Sequence, residues 1–528
     1  MKNKTAISSM VQTACYAFAA VLLTASCAND DTTQNEKEQK TEVPAGTTAF
    51  NGFSQQGSAT RTAIVNHTKG AGASVKWSNT DKIWVKDNAG TWNQSNAVTF
   101  ATSNKAQGTF ALNGTYSQAT HDVVYTNKTI AAGAQPQVEI KSAQTQSAPN
   151  NFDHAGESGD CGIASAAKNG NDYTFTLNHK AAYLCFIPRS SNPYVNRSKL
   201  IKVEITAEDD IAGTYTIGAN GALTLASGGS KTITVTTGSG FAIDNSSDDM
   251  SKNATYAVVA PGNHKFRIRY WLNCPNTNPV DSREGTITRY VNVNCTAGAI
   301  HDITSNLTIT NYDGYNYYMW DAQKNYWYGH EWNTATPWQP AFPTVPASTN
   351  YPQDGDALGR YYNKTFPGTG VRNDATTPLF QSLPNANEVT WYCMKGDPRW
   401  DSFELWSTLG RVYSGGVWLK KKAVLQAEGN YSSERAYDGT DFRVNYGTCV
   451  NSYTPGLPSP STINNYFYLP CLLKYMDGRL DNVGEGVYWT SSGDPIRMLS
   501  AYRLDVNPAG IDVGSFFRYA GITTRPFE

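Results

Sequence analysis

The sequence predicts a mainly β protein, and three observations carry that expectation. Gly and Tyr are abundant at 44 and 31 of 528 residues. Only 16% of residues are charged, which leaves little material for amphipathic helices. Short apolar or alternating runs recur between turn residues, the pattern of strands joined by tight connections. Once an N-terminal leader and tether are set aside, about 480 residues remain, more than one hydrophobic core serves, so at least two domains are expected.

The leader comes first. Lys2 and Lys4 precede an apolar run from Ala14 to Leu23 that is too short to span a bilayer, as in a secretory signal peptide. The run closes on Leu23-Thr24-Ala25-Ser26-Cys27, which resembles the lipobox of bacterial lipoproteins. That resemblance implies a signal peptide over 1–26 and lipidation of Cys27. Residues 27–47 are polar and without apolar period, so they read as a flexible tether. Asp30 and Asp31 resemble the signal that sends lipoproteins to the outer face of the outer membrane. No second apolar stretch of spanning length follows, so attachment is expected through acyl chains on Cys27.

Charge and cysteine usage exclude other classes. A formal net charge of -1 without a basic run lacks the footprint of nucleic-acid binding. Seven cysteines follow Cys27: Cys161, Cys185, Cys274, Cys295, Cys393, Cys449 and Cys471. An odd number permits disulfides with one thiol left over, their pairing is open, and no spacing reads as a zinc site. No metal and no cofactor are expected.

The first domain, 48–309, reads as a β-sandwich. Its strands include Lys82-Ile83-Trp84-Val85, Asp122-Val123-Val124-Tyr125, the alternating Ile201, Val203 and Ile205, and Thr232-Ile233-Thr234-Val235. Runs Lys265 to Leu272 and Thr286 to Val293 read as a hairpin with a long loop from Cys274 to Gly285. Four segments resemble the fimbrillin-like family of pilus subunits and accessory pilins. They are Ala59-Thr60-Arg61-Thr62, Val75-Lys76-Trp77 with Thr80 to Val85, the strand from Phe175 to Leu184, and Ala299-Ile300-His301-Asp302-Ile303. The resemblance implies two transthyretin-like lobes and assembly with other pilin subunits by strand addition. It also implies proteolytic release after an arginine, for which Arg61 is the candidate; the plainer alternative is that Arg61 only opens a strand. His179 has no ligand-spaced partner and reads as structural.

The second domain, 312–528, holds nine of the thirteen tryptophans, beginning in the dense run Tyr315 to Trp332. Large aromatics at that density build a core or present stacking platforms. Leu383 to Tyr392, Gly396 to Asp401, Gly415 to Trp418, Val487 to Ser492, Ala501 to Leu504 and Arg518 to Pro526 resemble the C-type-lectin-like modules related to the Fibrobacter major paralogous domain. The resemblance implies an α+β fold, closed by the last two segments as paired strands, that meets ligands on a loop face. The loops Gly493 to Met498, Asn507 to Gly510 and Gly514 to Phe517 are expected on that face, with Asp494, Arg497, Met498, Asn507, Asp512, Ser515, Phe516 and Phe517 there or close by.

The tripeptides that hold calcium in lectins are missing, so no calcium-bridged sugar is expected. Residues 331–528 contain no histidine, which rules out Ser/His and Cys/His nucleophile pairs within that stretch. Asp397, Asp401 and Glu404 could be imagined as a glycosidase pair, but nothing fixes their separation. The expectation is an accessory or tip-type fimbrial adhesin that binds a host or dietary glycan or protein and has no catalytic role. The alternatives are a glycan-capturing surface lipoprotein outside any pilus, or a structural cap without glycan affinity.

Overall fold

The computed structural model describes residues 43–528 except 54–62, 66, 72, 104, 276–281, 342–344, 482–483 and 528. The expected signal peptide, Cys27, most of the tether and Arg61 lie outside the described residues. Among the described residues no helix is long and apolar enough to cross a membrane. As expected, the protein is mainly β.

Strand β1 (Thr48–Phe53) pairs antiparallel with Gln107–Leu112 and parallel with Asp172–Thr176. The sheet continues through Gly162–Asn169, Thr120–Tyr125, Trp84–Lys86 and Trp92–Gln94. Its apolar residues gather around Phe50, Trp77, Phe110 and Phe175, with Trp77 edge-on to Phe110 at 4.9 Å. The Val75-Lys76-Trp77 motif thus supplies the central ring of the first lobe. A short hairpin of β2 (Ala63–Val65) and β3 (Ser74–Lys76) lies between β1 and the rest.

The segment from Phe175 to Leu184 is not one strand. It divides into Asp172–Thr176, Asn178–His179 and β4 (Ala182–Arg189), because the chain leaves the first sheet here and enters another. His179 sits at that crossing, 2.8 Å from Asp160 and buried, a structural partner as expected.

In the second lobe, β4 lies between Thr255–Val259 and β7 (Ile300–Asn306) and packs on a sheet of Ser198–Thr206, Thr232–Ile243, β5 (Gly262–Pro275) and β6 (Ser282–Cys295). Tyr183, Phe186, Val203, Ile205, Val235, Ile268 and Tyr270 fill the space between. Two expectations need correction. A bulge between Leu200 and Lys202 turns Ile201 off the core face, so the inward set is Leu200, Val203 and Ile205. The hairpin ladder runs from Gly262↔Cys295 to Pro275↔Ser282, leaving a connection of only residues 276–281. Backbone pairing extends through polar residues that apolar patterning ignores.

The C-terminal region is built on α1 (Ala386–Lys395), started by a reciprocal cap. The Asn385 side chain accepts the N–H groups of Asn387 and Glu388, and Glu388 accepts the Asn385 N–H at 2.8 Å. The chain then forms β8 (Arg399–Thr408), β9 (Arg411–Lys420), β10 (Gly486–Gly493), β11 (Ser500–Asn507) and β12 (Gly510–Phe517). β11 pairs with β12, not with the segment after Arg518, whose short Ile522–Thr523 strand pairs with Tyr317–Tyr318 and β10. Inward Ile511 and Val513 make β12 the apolar match for Leu504 and Val506. Trp320, Trp327, Trp406 and Trp489 are fully buried, so these aromatics build core. All seven cysteines after Cys27 are free and buried.

The composition break at Tyr312 falls inside strand Thr310–Tyr312, which pairs with β8. β8 also meets β6 in parallel at Thr286↔Glu404, so the second-lobe sheet continues through β8, β9 and Tyr466–Pro470. Gly285 permits this approach, since a Cβ there would stand 2.4 Å from Leu405 Cδ2 and 2.5 Å from Phe403 O. Arg269 of β5 reaches across the joint to Asp401 at 2.7 Å and to the Thr286 hydroxyl at 2.6 Å. Thr286 and Thr288 in turn donate to Glu404. Both ends of the ion pair are nearly inaccessible to water, 7% and 1% exposed.

Two outcomes follow from the joint. Removing one partner of a buried pair strands the other charge, so Arg269→Met should cost about 3–5 kcal/mol, and adding Asp401→Leu should restore part of it. Urea unfolding followed by tryptophan fluorescence reads both. The Glu404 carboxyl is pushed up to about 7 by desolvation and by Asp401 beside it. Its folded pKa exceeds the unfolded value, so its contribution is fully present below the ordinary carboxylate range and is lost as pH rises through about 7. The stability of Glu404→Gln relative to the parent protein should therefore rise from pH 5 to pH 8 in the same unfolding measurement.

Candidate ligand-binding face

The antiparallel pair β11–β12 has two ends. Its tight turn, Asn507 to Gly510, closes one; the loop Gly493 to Leu499 and residues Phe517 to Tyr519 form the other. Seven residue steps of β11 separate them, about 23 Å at the rise of an extended strand.

Asp494 organises the loop from inside. Its side chain is fully buried, and Oδ1 accepts the N–H groups of Ile496 at 2.8 Å and Arg497 at 2.9 Å. The strand bond is continued by Asp494 N–H donating to Ser500 O. The loop's side chains are thereby turned outward: Ile496, Met498 and Leu499 are exposed, Met498 by 55%, beside Phe517 at 44%. Val371 joins them where Gly370 N–H donates to Pro495 O at 2.8 Å.

Arg497 is the charged group of this face. Its guanidinium lies 4.2 Å over the Tyr446 ring and donates to Ser515 Oγ at 3.1 Å. Phe517 stacks on Tyr519 with centroids 5.2 Å apart and planes at 19°. Phe516 is half-buried on the core around Trp489, with the Lys474 ammonium 5.5 Å from its ring.

Beneath the face lies Arg518, which is wholly buried. It donates to the carbonyls of Ser500, Asn363 and Thr365 and rests 4.4 Å over Trp320. Burial pushes its guanidinium down to about 10. Gly493 leaves it room: a Cβ there would meet Arg518 Nη2 at 2.8 Å and Asn373 Nδ2 at 2.6 Å.

Of the eight residues expected on one loop face, Arg497, Met498, Ser515, Phe516 and Phe517 come together, with Asp494 beneath them as a brace instead of an exposed contact. Asn507 lies at the opposite end of the ladder, its side chain accepting Ala509 N–H in the turn. Asp512 lies within β12, opposite Asp505 and paired with Arg503. Residues Gly514 to Phe517 are strand, not loop. The alternation that makes β12 a strand places its two ends apart, which a list of nearby positions in sequence does not convey.

Ile496, Leu499, Val371, Tyr446, Tyr519 and Arg518 belong to the face and were not singled out from sequence. The apolar run Pro495-Ile496 with Met498-Leu499 in a turn-rich stretch is a readable signal for two of them. Tyr446 and Val371 arrive from distant segments and leave none.

The carboxylates considered for catalysis are held elsewhere. Asp397 accepts from Arg399, Thr454 and Tyr466, Asp401 from Arg269, and Glu404 from Thr286 and Thr288.

No family model and no curated protein matches the chain. Among solved structures, a Bacteroides fragilis protein provisionally named a cell adhesion protein aligns over 50% of this chain and 94% of its own, at 11% identity and a TM-score of 0.29. The fimbrial anchor protein Mfa2 from Porphyromonas gingivalis aligns over 49% and 90%, at 8% identity and 0.23. A fimbrial protein from Bacteroides ovatus covers 91% of this chain and 97% of its own, at 9% and 0.22. These neighbours are fimbrial and cell-adhesion proteins.

Loss of the internal brace has a local signature. Asp494→Ala should leave two amides without an acceptor, cost about 1–3 kcal/mol, and raise hydrogen exchange at Ile496 and Arg497. Amides in the middle of β11 and β12 should exchange as before, read by mass spectrometry.

Proposed function

We propose that this protein is a lipid-anchored, cell-surface fimbrial adhesin of accessory or tip type. In this reading the two N-terminal lobes provide attachment and assembly with other pilin subunits, and the C-terminal region meets the ligand. The observation that carries the ligand-binding half is the braced apolar face. Ile496, Met498, Leu499, Val371 and Phe517 stand exposed on a loop held from below by Asp494 and Arg518. Such a loop could as well carry polar side chains outside, so an exposed aliphatic group with Arg497 at its rim marks a contact surface.

The side chains favour a protein ligand over a calcium-bridged sugar. Aliphatic groups bury well against a partner's apolar residues, whereas sugars stack on flat rings, and here only Phe517 with Tyr519 offers one. A terminal position in a pilus suits the arrangement, because a bulky region following the pilin lobes would obstruct a shaft built from such subunits. The lipobox-like Cys27 and the acidic tether support anchoring at the outer membrane.

Binding of the full chain to immobilised host surface proteins, and to host and dietary glycans with and without chelator, tests the reading. A protein ligand held in the presence of chelator, with affinity reduced about tenfold or more by Met498→Asp and by Phe517→Ala, is the expected outcome. Glycan binding lost on the same substitutions keeps the face and changes the ligand. Ligand binding untouched by both substitutions would sink the assignment of this face. Mass analysis of the mature N-terminus on cells distinguishes pilus assembly after release at Arg61, with a new end at Thr62, from an uncleaved glycan-capturing lipoprotein.

A further inference from the structure

The connection between β2 and β3 carries His67, and the register of the second lobe sets Cys185 of β4 directly opposite Asp302 of β7. In a parallel pair, opposed residues project to the same side of the sheet. His67 is brought over both: its Nε2 lies 2.8 Å from Asp302 Oδ1. Imidazole nitrogen, thiol sulfur and carboxylate oxygen all lie within 4.8 Å of one another.

We propose that His67, Cys185 and Asp302 form a zinc-binding site that fastens the β2–β3 hairpin to the strands of the second lobe. A nitrogen, a sulfur and an oxygen donor suit a borderline-soft ion such as Zn²⁺ better than the hard ions Ca²⁺ and Mg²⁺, which take oxygen ligands alone. Tetrahedral zinc holds such donors about 3.4–3.8 Å apart, so the thiol would approach by at most about 1 Å while the His67 and Asp302 donors, now 2.8 Å apart, would part by roughly 0.6 Å, both within the reach of side-chain rotation. His67 and Cys185 are buried while Asp302 is partly open, which leaves the fourth position to water on the solvent side.

The surroundings hold the donors as outer-shell groups do. Gly70 N–H donates to Asp302 Oδ2 at 2.8 Å, which leaves Oδ1 as the oxygen turned toward His67. The His67 ring meets Tyr256 edge to face at 6.0 Å, and Tyr256 is itself fixed by donating to Asn150. On binding, the Cys185 thiol gives up its proton to solvent as the Zn–S bond forms, and the metal takes the place of the His67–Asp302 hydrogen bond. No redox partner is needed. The site lies six residues beyond Arg61 in sequence, so after cleavage there the metal would hold the new N-terminal segment to the second lobe.

Cobalt(II) tests the site because a thiolate ligand gives it a charge-transfer absorption that nitrogen and oxygen donors do not. The full chain, stripped of metal and titrated anaerobically with Co²⁺, should show this band with one equivalent bound, together with the visible bands of four-coordinate cobalt, and Zn²⁺ should displace both. Cys185→Ser should lose the charge-transfer band, while His67→Gln and Asp302→Asn should weaken Zn²⁺ binding by more than about tenfold. Absence of the band in the parent protein would overturn the proposal, and that outcome needs no variant to fold. Persistence of the band in Cys185→Ser would overturn it equally, by assigning the thiolate to another cysteine.

Discussion

The ion pair between Arg269 and Asp401 is the contact on which the rest of the molecule depends. It joins residues 132 positions apart and lies where two strands of different origin become neighbours in one sheet. A charge pair withdrawn from water is a poor source of net stability, because desolvation opposes attraction. Its effect is geometric. The guanidinium can satisfy Asp401 and Thr286 together only when β5, β6 and β8 are correctly placed, so misregistered joints leave a buried charge alone. Gly285 and the Thr286–Glu404 and Thr288–Glu404 bonds repeat that requirement with sterics and neutral donors. The C-terminal region is thereby held on the second lobe by a shared sheet.

The same device recurs at smaller scale under the candidate face. Asp494 and Arg518 are both buried and charged, and both spend their hydrogen-bonding capacity on the backbone of loops. A loop so tied can present Ile496, Met498 and Leu499 to solvent without collapsing onto its own apolar side chains. Pre-ordering of this kind lowers the entropic cost of any binding at the face.

Much of this was legible in the residues. Val75-Lys76-Trp77 and Leu383 to Tyr392 stood out as motifs; the structure makes the first the central ring of its lobe and the second a capped helix, both products of local pattern. The failures share a cause. Ile201 was set on the core face because alternation assumes an unbroken ladder, and a single bulge moves every later side chain by one. Phe175 to Leu184 read as one strand because apolarity does not record the sheet that each residue enters. Gly514 to Phe517 was read as loop because Gly514 and Ser515 are weak strand formers, yet cross-strand pairing with β11 decides their conformation.

By itself the sequence determined the β class, the dense aromatics from which the C-terminal core is built and the expectation of an anchored surface protein. These rest on composition, periodicity and short motifs, all of which act over a few residues. Tertiary structure alone decided that the second-lobe sheet runs on into the C-terminal region and that Asp494 braces where exposure was expected. It also decided that Asn507 sits at the opposite end of the β11–β12 ladder from Arg497, and that His67, Cys185 and Asp302 converge. Each of those facts is a distance between residues far apart in the chain, fixed by the registers of strands that only the folded protein brings side by side.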